Sequence, residues 1–153
     1  MPFLEVIAEL NSKIQEFNCF LSPECKFEEI DTSRKEIYSD KVRGGWGGWH
    51  SPSVDSFGVY ILFGVNEENQ EDIAVYIGKA SQQMMGHRLW VHLKPHRETM
   101  DYHKMIGEQK FNFLALSTLS TRSESCRSLA SSLEEYLIRG GLESAKLINK
   151  IGK

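Results

Sequence analysis

The stretch GVYILFGVNEENQEDIAVYIGKAS, residues 58–81, contains two short apolar runs separated by an acidic segment. Both runs are rich in Val, Ile, Phe and Tyr, which predicts strands near residues 57–64 and 73–78. The polar segment NEENQED between them is typical of a turn, so the strands should pair as a hairpin. Each strand carries a tyrosine close to a glycine, Tyr60 in the first and Tyr76 in the second. A buried hairpin needs neither phenol, so these two residues are candidates for function.

Upstream of the hairpin, apolar residues recur at three- and four-residue spacing, which predicts one amphipathic helix over about residues 3–18. Residues 19–43 have little periodicity. The segment RGGWGGWHSP, which begins at Arg43, contains too many glycines for a regular helix or strand. Trp46 and Trp49 in this loop have two interpretations. They can pack on the core as anchors, or they can stack on an aromatic ligand such as a nucleic-acid base.

Downstream of the hairpin, the apolar pattern changes to a helical period. It predicts a helix over about residues 84–94 and a buried strand in FNFLALSTL, which begins at Phe111. Thr121 and Glu124 have the spacing of a capping box, which predicts that a helix opens there and runs to about Arg139. An antiparallel hairpin combined with helices before and after it is typical of an α+β domain.

The composition is that of one globular domain of 153 residues, with 41% hydrophobic and 25% charged residues. No apolar run approaches the roughly 18 residues of a membrane span, and the N-terminus lacks the apolar stretch of a secretory signal. We therefore expect a cytoplasmic protein with no membrane partner. Three cysteines are an odd number, which favours reduced thiols over a disulfide framework.

The net charge of -3 argues against a protein that coats nucleic acid through charge alone. The charges are unevenly distributed along the chain, however. Residues 1–57 contain ten acids and six Lys and Arg, whereas residues 73–153 contain seven acids and twelve Lys and Arg. An anionic partner should therefore meet the C-terminal half.

Side chains that suit phosphate chemistry follow one another along the hairpin and the segment after it. Tyr60 and Tyr76 contribute phenols and Lys79 an ammonium group. Arg88 and His92 are four residues apart, which places both on one face of a helix. A guanidinium, an imidazole, an ammonium group and phenols around one point suit a scissile phosphodiester.

The same segment resembles the GIY-YIG nucleases. GVY at 58–60 looks like the first signature with valine in place of isoleucine, and YIG at 76–78 is the second signature unchanged. Lys79, Arg88 and His92 fall where members of the family keep a lysine, an arginine and a tyrosine or histidine. The resemblance runs from about residue 57 to the C-terminus.

Two further residues of the resemblance lie near the C-terminus. LEEYLI looks like the Glu-x-x-Leu-Ile block of the family, which selects Glu134 over Glu135 as the metal carboxylate. Asn149, in LINK, looks like the asparagine that commonly follows. The separation of Glu134 from Asn149 is longer than the family pattern, which implies a longer connection here.

The resemblance implies a fold as well as a site. It predicts a small three-stranded antiparallel sheet flanked by helices, with strands near residues 58, 74 and 111. Residues 1–56 would form an N-terminal helix and irregular extension added to a nuclease domain at 57–153, in one compact unit. This agrees with the strands and helices that the periodicity predicts.

The function implied is that of a divalent-metal-dependent endonuclease that hydrolyses DNA phosphodiester bonds. Glu134 would hold one Mg²⁺ or Mn²⁺ ion per site, because hard cations take oxygen ligands. Tyr60 would activate the attacking water, with His92 as the rival base because an imidazole titrates near neutral pH. Tyr76 and Lys79 would orient water and phosphate.

The resemblance and the composition also suggest how substrate is bound. Arg88, Lys79 and Asn149 would contact the phosphate backbone, and Trp46 and Trp49 could stack on bases. The substrate would be duplex or branched DNA, and a homodimer or a partner subunit could supply specificity. Two alternatives stay open at this point: a non-catalytic nucleic-acid-binding module on the same scaffold, and a hydrolase of small phosphodiesters.

Overall fold

The computed structural model describes residues 3–30, 56–85 and 103–149 of the chain. The predicted helix over 84–94 falls almost entirely outside these ranges. The described part consists of two α-helices and five strands. Their bounds are α1 Leu4–Asn18, β1 Gly58–Asn66, β2 Ile73–Ala80, β3 His103–Ile106, β4 Gln109–Ser120, α2 Leu129–Gly140 and β5 Lys146–Leu147.

The strands form one mixed sheet in the order β3-β4-β1-β2-β5. Strand β1 is antiparallel to both β2 and β4, β3 is antiparallel to β4, and β5 is parallel to β2. The predicted three-stranded antiparallel sheet is therefore wrong. Strands occur near residues 58, 74 and 111 as expected, but β3 and β5 extend the sheet on both sides. These outer strands have four and two residues, too few to show a periodic pattern.

The sheet is covered on both faces, and all nine residues of the central strand β1 are buried. Alternate side chains of a strand point to opposite faces. Val59, Ile61 and Phe63 belong to a large apolar core that includes the buried sides of α1 and α2. Tyr60 and Leu62 belong to a second cluster on the other face. The remaining buried members of this second cluster are Ala74, Phe111, Phe113 and Leu116.

The sheet is curled toward this second cluster. The Lys146 ammonium of β5 lies 5.4 Å from the centre of the Phe111 ring of β4, although β1 and β2 separate these strands. The same ammonium donates to Gln109 Oε1 at 2.8 Å. Ile106 of β3 and Ile148, which follows β5, pack on the cluster from the two outer strands. The curled sheet thus covers the second cluster with its two outer strands.

Helix α2 begins later than the capping-box pattern predicts. The Thr121 hydroxyl donates to the carbonyl of Phe57 at 3.1 Å instead of capping a helix. A 3-10 turn at Glu124–Cys126 follows, and α2 starts only at Leu129. The predicted capping box is wrong because Thr121 is used to join the end of β4 to the start of β1.

The N-terminal helix is part of the main core. The predicted apolar stripe of α1 is confirmed, because its residues are buried against the sheet and α2. The Phe17 ring lies 5.3 Å from the Tyr136 ring of α2, and the Tyr136 hydroxyl donates to Glu16 Oε2 at 2.9 Å. Within the described ranges, neither helix has the length and apolar content needed to cross a bilayer.

A carboxylate of α1 holds the segment that follows α2. Glu9 accepts hydrogen bonds from the backbone N–H of Glu143 at 2.8 Å and of Ser144 at 2.9 Å, and one from the Ser144 hydroxyl. Although partial burial opposes ionisation, these bonds and the nearby Lys13 ammonium lower the pKa of Glu9 below its usual value. Glu9 therefore ties α1 to the residues that lead into β5.

We expect Glu9→Gln to lower the free energy of unfolding by about 1 to 2 kcal/mol near pH 7, because charge-assisted bonds are lost while solvent screens part of the effect. The folded pKa of Glu9 is lowered, so its contribution is present above the unfolded pKa and is lost as the pH falls through the folded pKa. Urea unfolding of both proteins from pH 7 to pH 3 should show the difference shrinking in acid. The exposed Glu5→Gln on the same helix is the control, and an equal loss there would contradict the assignment.

Candidate active site

The two signature tyrosines lie together on the concave face of the sheet. Tyr60 of β1 is opposite Gly78 of β2, and Tyr76 is opposite Leu62, so the phenols form a diagonal pair. Their ring centres are 6.4 Å apart and the planes are inclined by 27°. Tyr60 is buried and Tyr76 is partly exposed. The predicted hairpin is confirmed, and it brings the two phenols into one stacked pair.

Gly78 makes room for this pair. A β-carbon on Gly78 would lie 2.1 Å from Cζ and 2.3 Å from the hydroxyl oxygen of Tyr60. Any side chain at this position would occupy the space of the phenol. The end of the Tyr60 ring thus rests on the backbone of the YIG signature, directly before Lys79.

Lys79 lies on the opposite face of β2 from the tyrosines and is exposed. It borders a cavity of about 390 Å³ at the end of the strand, between β2 and α2. The Ser131 hydroxyl of α2 donates to the Ser81 hydroxyl at 3.5 Å across this cavity. The other lining residues are Ala80, Gln82 and Gln83. Among the described residues, the lining therefore offers one ammonium group, two hydroxyls and two amides, and no carboxylate.

Sequence reasoning identified Lys79 but missed Ser81 and Ser131 as members of the same cavity. Ser131 lies in a serine-rich stretch that has the composition of an ordinary helix surface. Only the packing of α2 on β2 brings Ser131 to the cavity that Lys79 borders. The available signal was the polar run SQQ immediately after the lysine, which marks the end of the strand as polar.

Glu134 lies one helical turn after Ser131, on the same side of α2. It is half-buried, at the border of the buried face of α2 that carries Leu133 and Leu137. Glu135 is exposed and pairs with Arg139, with 2.7 Å between Oε1 and Nε. Burial therefore distinguishes the two carboxylates, because Glu134 is half-buried and Glu135 is exposed.

The side chains available as metal ligands can be compared with the ligands that a divalent cation takes. Among the described residues, no three His, Cys, Asp or Glu side chains come together. Mg²⁺ commonly takes one or two carboxylates and completes its octahedron with waters and substrate phosphates. A single carboxylate at Glu134 fits a cation of this kind, held jointly with substrate, and does not fit a closed structural site.

Asn149 is engaged with the backbone of β2. Its Oδ1 accepts from the N–H of Ile77 and its Nδ2 donates to the carbonyl of Ile77, both at 2.6 Å. One residue earlier, the N–H of Ile148 donates to the carbonyl of Val75 at 2.9 Å. The amide of Asn149 thus continues the β5 ladder by one residue along the edge of β2. This is a structural use of a side chain that the resemblance assigns to substrate binding.

The remaining predicted site residues lie outside the described ranges. They are Trp46, Trp49, Arg88 and His92. The described part of the candidate site therefore consists of the phenol pair on one face of β2, Lys79 and its cavity toward the other face, and Glu134 on α2.

The chain matches no protein-family model, no curated protein and no solved structure. The resemblance to GIY-YIG nucleases consequently remains a prediction from the residues of this chain: the two tripeptides and the residues that follow them. The function has to be argued from the same residues.

We expect Gly78→Ala to destabilise the protein by about 1 to 3 kcal/mol, because the new methyl group overlaps the Tyr60 ring. A double-mutant cycle with Tyr60→Ala tests the cause. In the Tyr60→Ala background, Gly78→Ala should cost much less in urea unfolding. Additive effects of the two substitutions would show that the ring does not set the requirement for glycine.

Proposed function

We propose that this protein is a divalent-metal-dependent endonuclease that hydrolyses DNA phosphodiester bonds at a GIY-YIG-type site. The observation that carries the proposal is the stacked pair of Tyr60 and Tyr76 with the Tyr60 ring seated on Gly78. Both signature tripeptides meet in this contact, on adjacent and paired strands.

The cavity beside Lys79 supports binding of a phosphodiester. A phosphate group takes donors and positive charge, and this cavity offers an ammonium group with hydroxyl and amide donors. Its volume of about 390 Å³ admits a phosphate with part of a nucleotide. Lys79 would contact a non-bridging oxygen, and Ser81 and Ser131 would donate to the same group. Arg88 is proposed as the second cation on the phosphate.

Glu134 is the carboxylate that we propose for the divalent cation. The bound cation supplies neutralisation of the charge that develops on phosphate and on the leaving oxygen. Glu134 would contribute an oxygen ligand from a half-buried position on α2, at the border of its buried face. Its place one turn from Ser131 would keep the metal and the phosphate donors on one side of the helix.

Two residues are proposed to accept the proton of the attacking water. Tyr60 is the first, as the resemblance implies, and His92 is the rival because an imidazole is a common general base. Tyr76, which is partly exposed, is the phenol that can contact substrate.

The first test is cleavage of supercoiled, linear, branched and single-stranded DNA with Mg²⁺ or Mn²⁺, with a chelator as the blank. We expect Glu134→Gln to lower the cleavage rate roughly 100-fold or more, because the metal carboxylate is lost. Glu135→Gln is the matched control and should stay within about threefold of the parent protein, since a single exposed ion pair adds little to stability. Intact DNA in every reaction, or equal rates for the two variants, would contradict the proposal.

A second test measures binding without cleavage, with Ca²⁺ in place of Mg²⁺ and fluorescently labelled DNA. We expect Lys79→Met to weaken binding and to reduce the slope of log affinity against log salt by about 1, as removal of one phosphate contact should. Lys110→Met is the control. Lys110 lies at the far end of the sheet and pairs with Glu67, with 3.8 Å between Nζ and Oε1. The same slope change in both variants would place DNA elsewhere on the protein.

A further inference from the structure

The two ends of the central strands differ in charge. At one end, the segment 67–72 joins β1 to β2 and contains four acids, and Lys146 of β5 pairs with Asp72 there at 2.9 Å. At the other end, β2 and β4 finish and α2 begins. Residues 79–85 and 120–130, which lie at this second end, contain three Lys and Arg and one acid. A polyanion should therefore approach the protein from the second end.

The cations of this end are Lys79, Arg122 and Arg127, and all three are exposed. Arg127 differs from the others because an aromatic ring holds its side chain. Its guanidinium carbon lies 5.4 Å from the centre of the Phe57 ring, within the range of a cation–π contact. A guanidinium stacked in this way has less freedom to lose when it binds an anion.

Phe57 is itself fixed to the end of the sheet. It directly precedes β1, and its carbonyl accepts hydrogen bonds from the N–H of Thr121 at 2.8 Å and from the Thr121 hydroxyl at 3.1 Å. Thr121 follows the last residue of β4. The ring that supports Arg127 is thus attached to two strands.

The ion pair of Arg127 with Glu124 leaves the guanidinium able to bind a further anion. Nη1 of Arg127 lies 3.8 Å from Oε1 of Glu124, and the two side chains are 48% and 81% exposed. A contact of this length between exposed groups adds little free energy. A guanidinium has five N–H donors, so this one contact does not exhaust them.

Two neighbours place Arg127 at the border of the cavity in which we propose that a phosphate binds. The backbone of Arg127 is already helical, so Ser131 of the cavity follows it by one turn on the same side of the helix. Ala80, which also lines the cavity, is paired with Gly58, the residue after Phe57. Arg127 does not line the cavity itself.

We propose that Arg127 binds the DNA phosphate adjacent to the one in the cavity, while the Phe57 ring holds the guanidinium in position. This inference rests on the proposed function and adds a second phosphate contact to the same substrate. Lys79 holds one phosphate and Arg127 the next one on the same strand, so the DNA backbone lies across the second end of the sheet. The planar guanidinium can donate two N–H groups to one phosphate. A polynucleotide makes both contacts, whereas a small phosphodiester makes only the first.

The test measures binding of fluorescently labelled duplex DNA over a series of salt concentrations, with Ca²⁺ in place of Mg²⁺. We expect Arg127→Met to weaken binding and to reduce the slope of log affinity against log salt by about 1. Arg139→Met is the matched control, because Arg139 lies at the far end of the same helix and pairs with Glu135 at 2.7 Å. The control should keep the slope of the parent protein.

Two further variants separate the parts of the proposal. The double variant Lys79→Met/Arg127→Met should lose about 2 from the slope, because two phosphates are no longer neutralised. Phe57→Leu keeps the charge of Arg127 and removes the aromatic face. It should lower the affinity about two- to fivefold with the slope unchanged. The melting temperature of each variant checks that it is folded.

The proposal is overturned if Arg127→Met keeps the slope of the parent or if Arg139→Met loses as much. It is also overturned if the double variant loses no more than Lys79→Met alone, since both cations would then share one phosphate, or if Phe57→Leu binds as tightly as the parent. Cleavage by the parent with Mg²⁺ is scored separately. A parent protein that shows these slopes and leaves DNA intact would contradict the nuclease and support the phosphate contact, whereas a parent that binds no DNA would overturn both.

Discussion

The rest of the structure depends on the complete burial of strand β1. Its backbone is paired on both sides, by β2 and β4, and its side chains are buried on both faces. Each face therefore needs its own cover. Helices α1 and α2 cover one face, and the curl of the sheet covers the other. The packing is close even at the start of the strand, where a β-carbon on Gly58 would lie 2.0 Å from the carbonyl oxygen of Leu119.

This constraint decides where a site can form. Alternation along β2 sends Tyr76 and Lys79 to opposite faces, so their side chains can approach one substrate only around the end of the strand. The edge of β2 is occupied by β5 at Ala74 and Val75, and by the Asn149 amide at Ile77. Beyond Ile77 the described residues add no further strand to this edge. The candidate site thus begins where pairing along the outer edge of β2 ends.

The parts of the fold that the sequence predicts are those with a local pattern. Strands β1, β2 and β4 and helix α1 are long enough to show a recognisable pattern of apolar residues. The tripeptides GVY and YIG each contain one tyrosine of the stacked pair. Strands β3 and β5 were missed because each is short and is defined by partners distant in sequence. The capping-box prediction was wrong for a similar reason: Thr121 bonds to Phe57, and no local pattern records that contact. Ser131 joins Lys79 in the lining of one cavity only because α2 packs on β2.

The sequence predicts helix α1 as part of an N-terminal extension, yet its contacts lead toward the candidate site. Glu9 holds the backbone of Glu143 and Ser144, the residues that lead into β5. Strand β5 in turn positions Asn149, whose amide closes the edge of β2 at Ile77, directly before the glycine on which Tyr60 rests. Because each contact fixes the next, loosening α1 should disturb the end of β2 before it disturbs the central strand. The N-terminal helix is therefore a structural support of the candidate site.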